Sequence, residues 1–222
     1  MADRAFLELA QTLCTRLCHD LSGPIGAVNS GAELLREEGD TPDPQVIALM
    51  TESAAAVTTR LRFLRAAMGT PGGRGLDPDA AHTLLDQYLA VAGGTRRPAL
   101  DWSVPAHGEP PETVRPRVQA LLNLCLVALE ALPRADRLSV RAPSARAAQV
   151  LIGGTGQPRP GPLDAMRAGL DGPPPSGDPR DAQGAYTGVL IRALGLTVVM
   201  ETDPGAVRLD LRPAGRDGSR MT

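Results

Sequence analysis

Lysine is absent from the 222 residues, so all 23 basic side chains are arginine, and any mechanism that needs a phosphate-binding lysine is excluded. No apolar run reaches the ~18 residues that a membrane helix requires, and no signal sequence is present. Both absences predict a soluble, cytoplasmic protein with no membrane partner. Histidine and cysteine are scarce, at three residues each. Cys14, Cys18 and Cys125 suit a reducing compartment, and without a second histidine at ligand spacing they argue against a zinc site. Cys14 and Cys18 are expected to be buried packing residues. His82 and His107 lack acidic neighbours and are expected at the surface. A net charge of −2 and an isoelectric point near 5.9 argue against nucleic acid as a partner.

The third histidine is different. His19 stands in the run Leu17-Cys18-His19-Asp20-Leu21-Ser22-Gly23-Pro24-Ile25, an imidazole beside a carboxylate on an amphipathic segment, and this arrangement points to phosphoryl transfer. Phe6, Leu9, Leu13, Leu17, Leu21, Pro24, Val28, Ala32 and Leu35 recur at the spacing of an apolar helical stripe. His19 lies off that stripe. At about 100° per residue it shares a face with Gly23, Gly26, Ala27 and Ser30, all small. An imidazole that must meet an acidic site on another protein needs such clearance, so this reads as a docking face. A solvated histidine among loosely packed glycines is the plainer reading. Against it, each helical glycine costs roughly 1 kcal/mol and an interior proline more, and the weak residues cluster in one place.

Asp43 followed by Pro44 marks a second helix start, with a capping side chain and a proline where no amide hydrogen is needed. Val46, Met50, Ser53, Val57, Leu61, Leu64 and Met68 then form a heptad-like seam. Gly69, Pro71, Gly72 and Gly73 end it, and Gly39 to Pro42 make the connection, so residues 4–68 read as an antiparallel helical hairpin. One hairpin buries only one side of each helix. Two copies would close a four-helix bundle, which predicts a homodimer.

After the Gly/Pro-rich break at 69–78, the second domain reads as helix 78–92, strand 99–104, helix 114–132, strands 137–142 and 147–152, a short helix 162–170, helix 182–194, and strands 197–201 and 206–211. That mixture predicts an α/β sandwich with helices on one face, and an α+β chain as a whole. Pro173-Pro174-Pro175 is read as a shortened, irregular loop. The domain limits are 1–70, 77–212 and a tail, 213–222, expected to be disordered.

The His19-Asp20-Leu21-Ser22-Gly23-Pro24-Ile25 run resembles the phospho-acceptor box of sensor histidine kinases, and the hairpin resembles their dimerisation and phosphotransfer domain. The second domain then resembles a degenerate version of their ATPase domain. Gln119-Ala120-Leu121-Leu122-Asn123-Leu124 is similar to the kinase N box, but Val127 stands where kinases place a magnesium-binding asparagine and Glu130 where they place a basic residue. Valine offers no oxygen to a hard cation. Gly154 replaces the aspartate that reads adenine, and Pro158 replaces a glycine of the same motif. Gly184-Ala185-Tyr186-Thr187-Gly188 keeps only a trace of the phosphate-cradling glycine loop, with a tyrosine obstructing the approach.

A phospho-acceptor hairpin joined to a kinase-like domain without nucleotide chemistry resembles the ChpT-like histidine phosphotransferases of the alphaproteobacterial cell-cycle phosphorelay. Leu17-Cys18-His19-Asp20-Leu21, Asn123-Leu124, Glu130-Ala131-Leu132-Pro133 and Tyr186-Thr187-Gly188 carry the likeness, which spans nearly the whole chain and is weakest over 155–180 and the tail. The resemblance implies a relay in which His19 accepts a phosphoryl group from the receiver aspartate of a CckA-like hybrid histidine kinase and delivers it to CtrA-like and CpdR-like response regulators. It implies no cofactor in this chain, the magnesium being supplied by the partner receiver. Arg16, Ser22, Gly23, Gly26, Ala27 and Ser30 would then dock the receiver, with the second domain touching it from the side. Asp20 would orient the ring or accept its proton, although a role at the helix cap or with a basic partner fits the sequence equally. Arg16 would pair with the transferred phosphate or be merely solvated. The competing readings are an ATP-dependent histidine kinase and a non-catalytic dimeric adaptor.

Overall fold

A computed structural model describes residues 2–37, 43–69, 76–92, 97–106, 108–144, 147–173 and 178–215. The expected connection at Gly39 to Pro42, the break residues 70–75, His107, Pro174, Pro175 and tail residues 216–222 lie outside the described residues. Helix α1 (Ala2–Glu37) runs through Pro24, and helix α2 (Pro44–Met68) packs back along it. Asp43 caps α2 as its position implies, its carboxylate accepting from the Gln45 amide at 2.8 Å. Gly31 leaves room on α1 for the Met50 side chain, which a Cβ there would strike.

The second part begins with α3 (Pro78–Ala92), capped by Asp77 through the Ala80 amide at 2.7 Å. It continues with β1 (Ala99–Ser103), α4 (Pro111–Ala131), β2 (Ala135–Ser144), β3 (Ala147–Gly154), α5 (Pro160–Asp171), α6 (Ala182–Ala193), β4 (Leu196–Asp203) and β5 (Ala206–Pro213). The sheet order is β1-β2-β3-β5-β4, with β1 parallel to β2 and the other pairs antiparallel. The element order matches the sequence expectation, and α4 begins three residues early because Pro111 suits a helical first turn. Pro213, placed in the tail by sequence, closes β5, and the Ala214 amide donates to the Gly195 carbonyl at 2.9 Å.

Period-two alternation gives the sheet one dry face. Ala148, Val150 and Ile152 on β3 and Val207, Leu209 and Leu211 on β5 are buried, while Gln149, Arg208 and Asp210 turn outward. Helix α4 lies over that dry face with fourteen of its 21 residues buried. It is apolar nearly all round because the sheet covers one side and α2, α3, α5 and α6 cover the other.

The hairpin meets this body at two places. Phe63, Leu64 and Ala67 near the end of α2 enter the main core, and Leu9 and Leu13 of α1 pack against Ala165 and Ala185 of α5 and α6. Elsewhere the hairpin is open, and three expectations change. Cys14 and Cys18 are exposed rather than buried, and only Cys125 is in the core. Leu61 of the α2 seam and Phe6 of the α1 stripe are also exposed. Among the described residues of the hairpin, Leu7, Ile25, Leu34, Ile47 and Leu49 are exposed as well.

Candidate functional site

Helix α1 presents His19 to solvent with its side chain 89% exposed and Nδ1 3.6 Å from Oδ1 of Asp20. A Cβ built on Gly23 or Gly26 meets nothing within 4 Å. Packing within this chain therefore does not require either glycine, and a helix carrying them is weakened by roughly 1 kcal/mol at each. Ser30 is exposed beside them and Ala27 is half-buried. The Ser22 hydroxyl donates to the Cys18 carbonyl at 2.7 Å, so its polarity is spent on its own helix.

Behind the imidazole is a cluster that sequence reasoning found only in part. Arg16 is not a solvated arginine. Its side chain is 17% exposed, forms an ion pair with Glu130 near the end of α4, and places Nε 3.5 Å from Oδ2 of Asp20. Arg60 of α2 donates to the Asp20 carbonyl at 2.7 Å and to the Val91 carbonyl at 3.3 Å. Tyr88 of α3 stacks on Phe63, ring centroids 4.2 Å apart, and faces the same charges. Burial pushes the Glu130 carboxyl above its ordinary range, against the pull of Arg16. Burial lowers Arg16, but the hydrogen bond and charge of Glu130, with Asp20, raise it overall. Burial and the Asp20 charge raise Tyr88. Asp20 and Arg60 are 40 residues apart, a pairing no local pattern encodes.

His19 stands on the rim of a cleft of about 1390 Å³ between the hairpin and the second domain, lined by Arg16, Arg60, Tyr88, Glu130 and Arg180 among others. Both arginines and carboxylates line it. Among the described residues no group of three or more histidine, cysteine, aspartate or glutamate side chains is close enough to hold a metal ion.

The kinase-like motif positions have structural employment. Asn123 is fully buried and donates to the Ala67 carbonyl at 2.6 Å and the Gln119 carbonyl at 2.8 Å, while its own oxygen accepts from Gln183 at 2.9 Å. Gln119 donates to the Gly69 carbonyl at 2.8 Å and the Tyr186 hydroxyl to the Met68 carbonyl at 3.3 Å. Three carbonyls that the end of α2 leaves without helical partners are thus capped by side chains of α4 and α6, which fastens the hairpin to the second domain. Val127 is buried in the core.

Gly154 sits so close to the backbone of Arg134 and Ala135 that a side chain there would strike it. The 184–188 segment, which bears only a trace of the phosphate-cradling loop motif, lies inside α6, within the helix expected over 182–194. There Gly184 and Gly188, facing Gly169 and the Pro162 and Met166 carbonyls of α5, let the two helices touch backbone to backbone. Glycines four apart serve a helix crossing as readily as a loop, and the continuous helical hydrogen bonding decides for the crossing. His82 is exposed as expected and stacks on Trp102 at 5.9 Å.

Residues 65–206 match the family model described as the histidine phosphotransferase C-terminal domain. Over 137 residues the chain is 35% identical to the protein phosphotransferase ChpT of Brucella abortus (strain 2308), a match that covers 61% of each protein. A solved structure of a bacterial phosphotransferase superposes with a TM-score of 0.69 at 28% identity, over 93% of this chain and 96% of that one.

Proposed function

The chain belongs to the histidine phosphotransferase family, and from that membership we propose that His19 carries a phosphoryl group between the receiver aspartate of a hybrid histidine kinase and the receiver aspartates of response regulators. The observation that carries this reading is the exposed imidazole on a helix face where Gly23 and Gly26 leave open space that this chain does not use. Receivers of the CckA, CtrA and CpdR kinds are the proposed donor and acceptors.

In the first half-reaction a neutral ring nitrogen of His19 attacks the phosphorus of the receiver's acyl phosphate in line. The N–P bond forms, the bond from phosphorus to the aspartyl oxygen breaks, and that oxygen leaves with the electron pair as carboxylate. The proton on the other ring nitrogen faces Asp20, which stabilises the positive ring that results. Reversal onto a second receiver regenerates neutral His19. Such a reaction needs positioning and charge neutralisation more than covalent chemistry, and the magnesium it uses belongs to the receiver. Ser22, Ala27 and Ser30 complete the proposed docking face, and Arg16, held by Glu130 and Asp20, stands behind it. ATP plays no part in this reading: Val127 offers no oxygen to a cation, and Gly154 has no room for an adenine-reading side chain.

The functional unit is proposed to be a homodimer. Leu7 and Ile25 lie about five turns apart on one side of α1, and with Ile47 and Leu61 of α2 they are exposed large apolar side chains. A second hairpin would cover them and close a four-helix bundle. Light scattering on Ile25→Asp should give half the wild-type mass; an unchanged mass would sink the four-helix reading.

The relay is tested by offering the protein radiolabelled ATP in one lane and an aspartyl-phosphorylated receiver in another. Acid-labile, base-stable label appearing only in the receiver lane, and lost in His19→Ala, is the expected result. Label from ATP alone would replace the relay with a kinase. Failure of every receiver in a cognate panel to label His19 would replace it with an adaptor.

A further inference from the structure

We propose that Glu130, on α4, is a positioning residue for His19: it shares the Arg16 guanidinium with Asp20, leaving Oδ1 of Asp20 turned to the Nδ1 side of the imidazole and Nε2 free as the nucleophilic nitrogen. The inference rests on His19 being the phosphoryl acceptor and concerns how the second domain acts on it.

Three contacts form a chain from the second domain to the imidazole, and a fourth steadies it. Glu130 holds Arg16, Arg16 Nε reaches Oδ2 of Asp20 at 3.5 Å, Oδ1 of Asp20 lies 3.6 Å from Nδ1 of His19, and Arg60 fixes the Asp20 backbone through its carbonyl at 2.7 Å. One carboxylate oxygen of Asp20 is thereby occupied by the cation and the other is left for the ring. A carboxylate at Nδ1 favours the tautomer protonated there, and the lone pair then sits on Nε2.

Glu130 is poorly placed for stability alone. It stands in the last turn of α4, where the helix dipole disfavours negative charge, and its Oε2 is buried with no hydrogen-bond partner among the described residues. An apolar side chain would fill the position without either penalty. Arg16 gives the carboxylate its purpose. As an isolated pair, arginine four residues before aspartate is the weaker orientation on a helix, so a third group from another element is needed to hold the guanidinium.

Several charged or titratable groups face this cluster: Arg16 and Asp20 from α1, Arg60 from α2, Tyr88 from α3, and Asp181 just before α6. When Glu130 is replaced by glutamine, Arg16 is no longer shared and turns wholly to Asp20. The carboxylate swings away from Nδ1, and an uncompensated cation stands nearer the ring.

The test is the Glu130→Gln full-length protein, followed by nitrogen NMR of the His19 ring across pH and by the rate of phosphoryl uptake from an aspartyl-phosphorylated receiver. The expected result is a His19 ring titration curve displaced to lower pH than in wild type. A tautomer signal moved toward that of free imidazole and an acid limb of the rate profile displaced by the same amount should accompany it. On an Asp20→Asn background, Glu130→Gln should move none of these. A merely structural glutamate would change rate or stability without displacing the limb. Superimposable titrations for wild type and Glu130→Gln, or an equal shift on the Asp20→Asn background, would overturn the proposal. Because the NMR readout needs no receiver, it decides on Glu130 even if uptake is never seen and the relay itself fails.

Discussion

The hairpin and the second domain use the same residue types to opposite ends. On α1, Gly23 and Gly26 face empty space; in α6, Gly184 and Gly188 are pressed against the backbone of α5. The hairpin leaves Leu7, Ile25, Ile47 and Leu61 in water, whereas α4 buries even Asn123 and Gln119 and satisfies them on the end of α2. One region is built for what it will meet, the other for what it already touches. A glycine or a leucine therefore cannot be classified by type, only by whether its own chain gives it a neighbour.

The sharpest way to separate the regions is to remove the imidazole. His19→Ala should abolish phosphoryl uptake, a loss of at least about a thousandfold, because it removes the proposed acceptor nitrogen and leaves only unactivated serine hydroxyls on that face. Its thermal midpoint should match wild type, since the ring is 89% exposed and its ion-pair partner is the exposed edge of Asp20. Residual transfer, or a lowered midpoint, would show that the hairpin face is structural after all.

Glycine tests the comparison in both directions. Gly188→Ala should destabilise the protein by about 2–3 kcal/mol in urea unfolding, because the new methyl meets the Met166 carbonyl and the Leu170 amide, which cannot move without separating α5 from α6. Gly26→Ala should instead stabilise by about 1 kcal/mol, the helix propensity difference, and slow receiver-dependent uptake several-fold by narrowing the docking face. If Gly26→Ala stabilises without slowing transfer, the open face is loose packing and not a docking surface.

Much of this was legible before the fold. The 3.6-residue and two-residue periods place every helix and strand to within a few residues, and His19 stands out because its neighbours on the helix are small. What escaped detection depends on contacts between distant segments. Cys14 and Cys18 were expected in the packing, yet the pattern along α1 does not say which side of the helix the rest of the chain covers, and both are exposed. Phe63 is off the α2 seam but fully buried, because the second domain and not α1 covers it. The helix over 182–194 was legible, but that Gly184 and Gly188 serve a backbone-to-backbone crossing with α5 was not, since a four-residue glycine spacing has two uses. Glu130 was visible as a departure from the kinase pattern, but its partner lies 114 residues away.

Thiol chemistry probes the same contrast more gently. Burial pushes the Cys125 thiol far up, so it should resist a thiol reagent at neutral pH in the native protein, while exposed Cys14 and Cys18 react. Two fast equivalents per chain are expected for a monomer. Protection of Cys14 and Cys18 that rises with protein concentration would place the second hairpin over that side of α1, and rapid reaction of Cys125 would mean that α4 opens far more readily than a core helix should.

The smallest effect is a slope. Glu130 and Asp101 are both carboxylates beside arginine, but the first is half-buried between the hairpin and the second domain and the second is open to water on the sheet. Burial raises Glu130 in the folded state above its unfolded value of about 4.3, so between those two values the folded protein holds more of the proton, and stability falls as pH rises through that window. Hydrogen bonds from Arg141 and Ser139 lower Asp101, so its contribution is present above the unfolded value and is lost as pH falls through the folded one. The two act in opposite directions on the two sides of the unfolded carboxylate range. Urea midpoints measured from about pH 4 to about pH 8 should therefore decline less steeply in Glu130→Gln than in wild type, because glutamine cannot titrate. Parallel curves would mean that Arg16 fully compensates the burial of Glu130, and that the charge between hairpin and second domain is held at no cost.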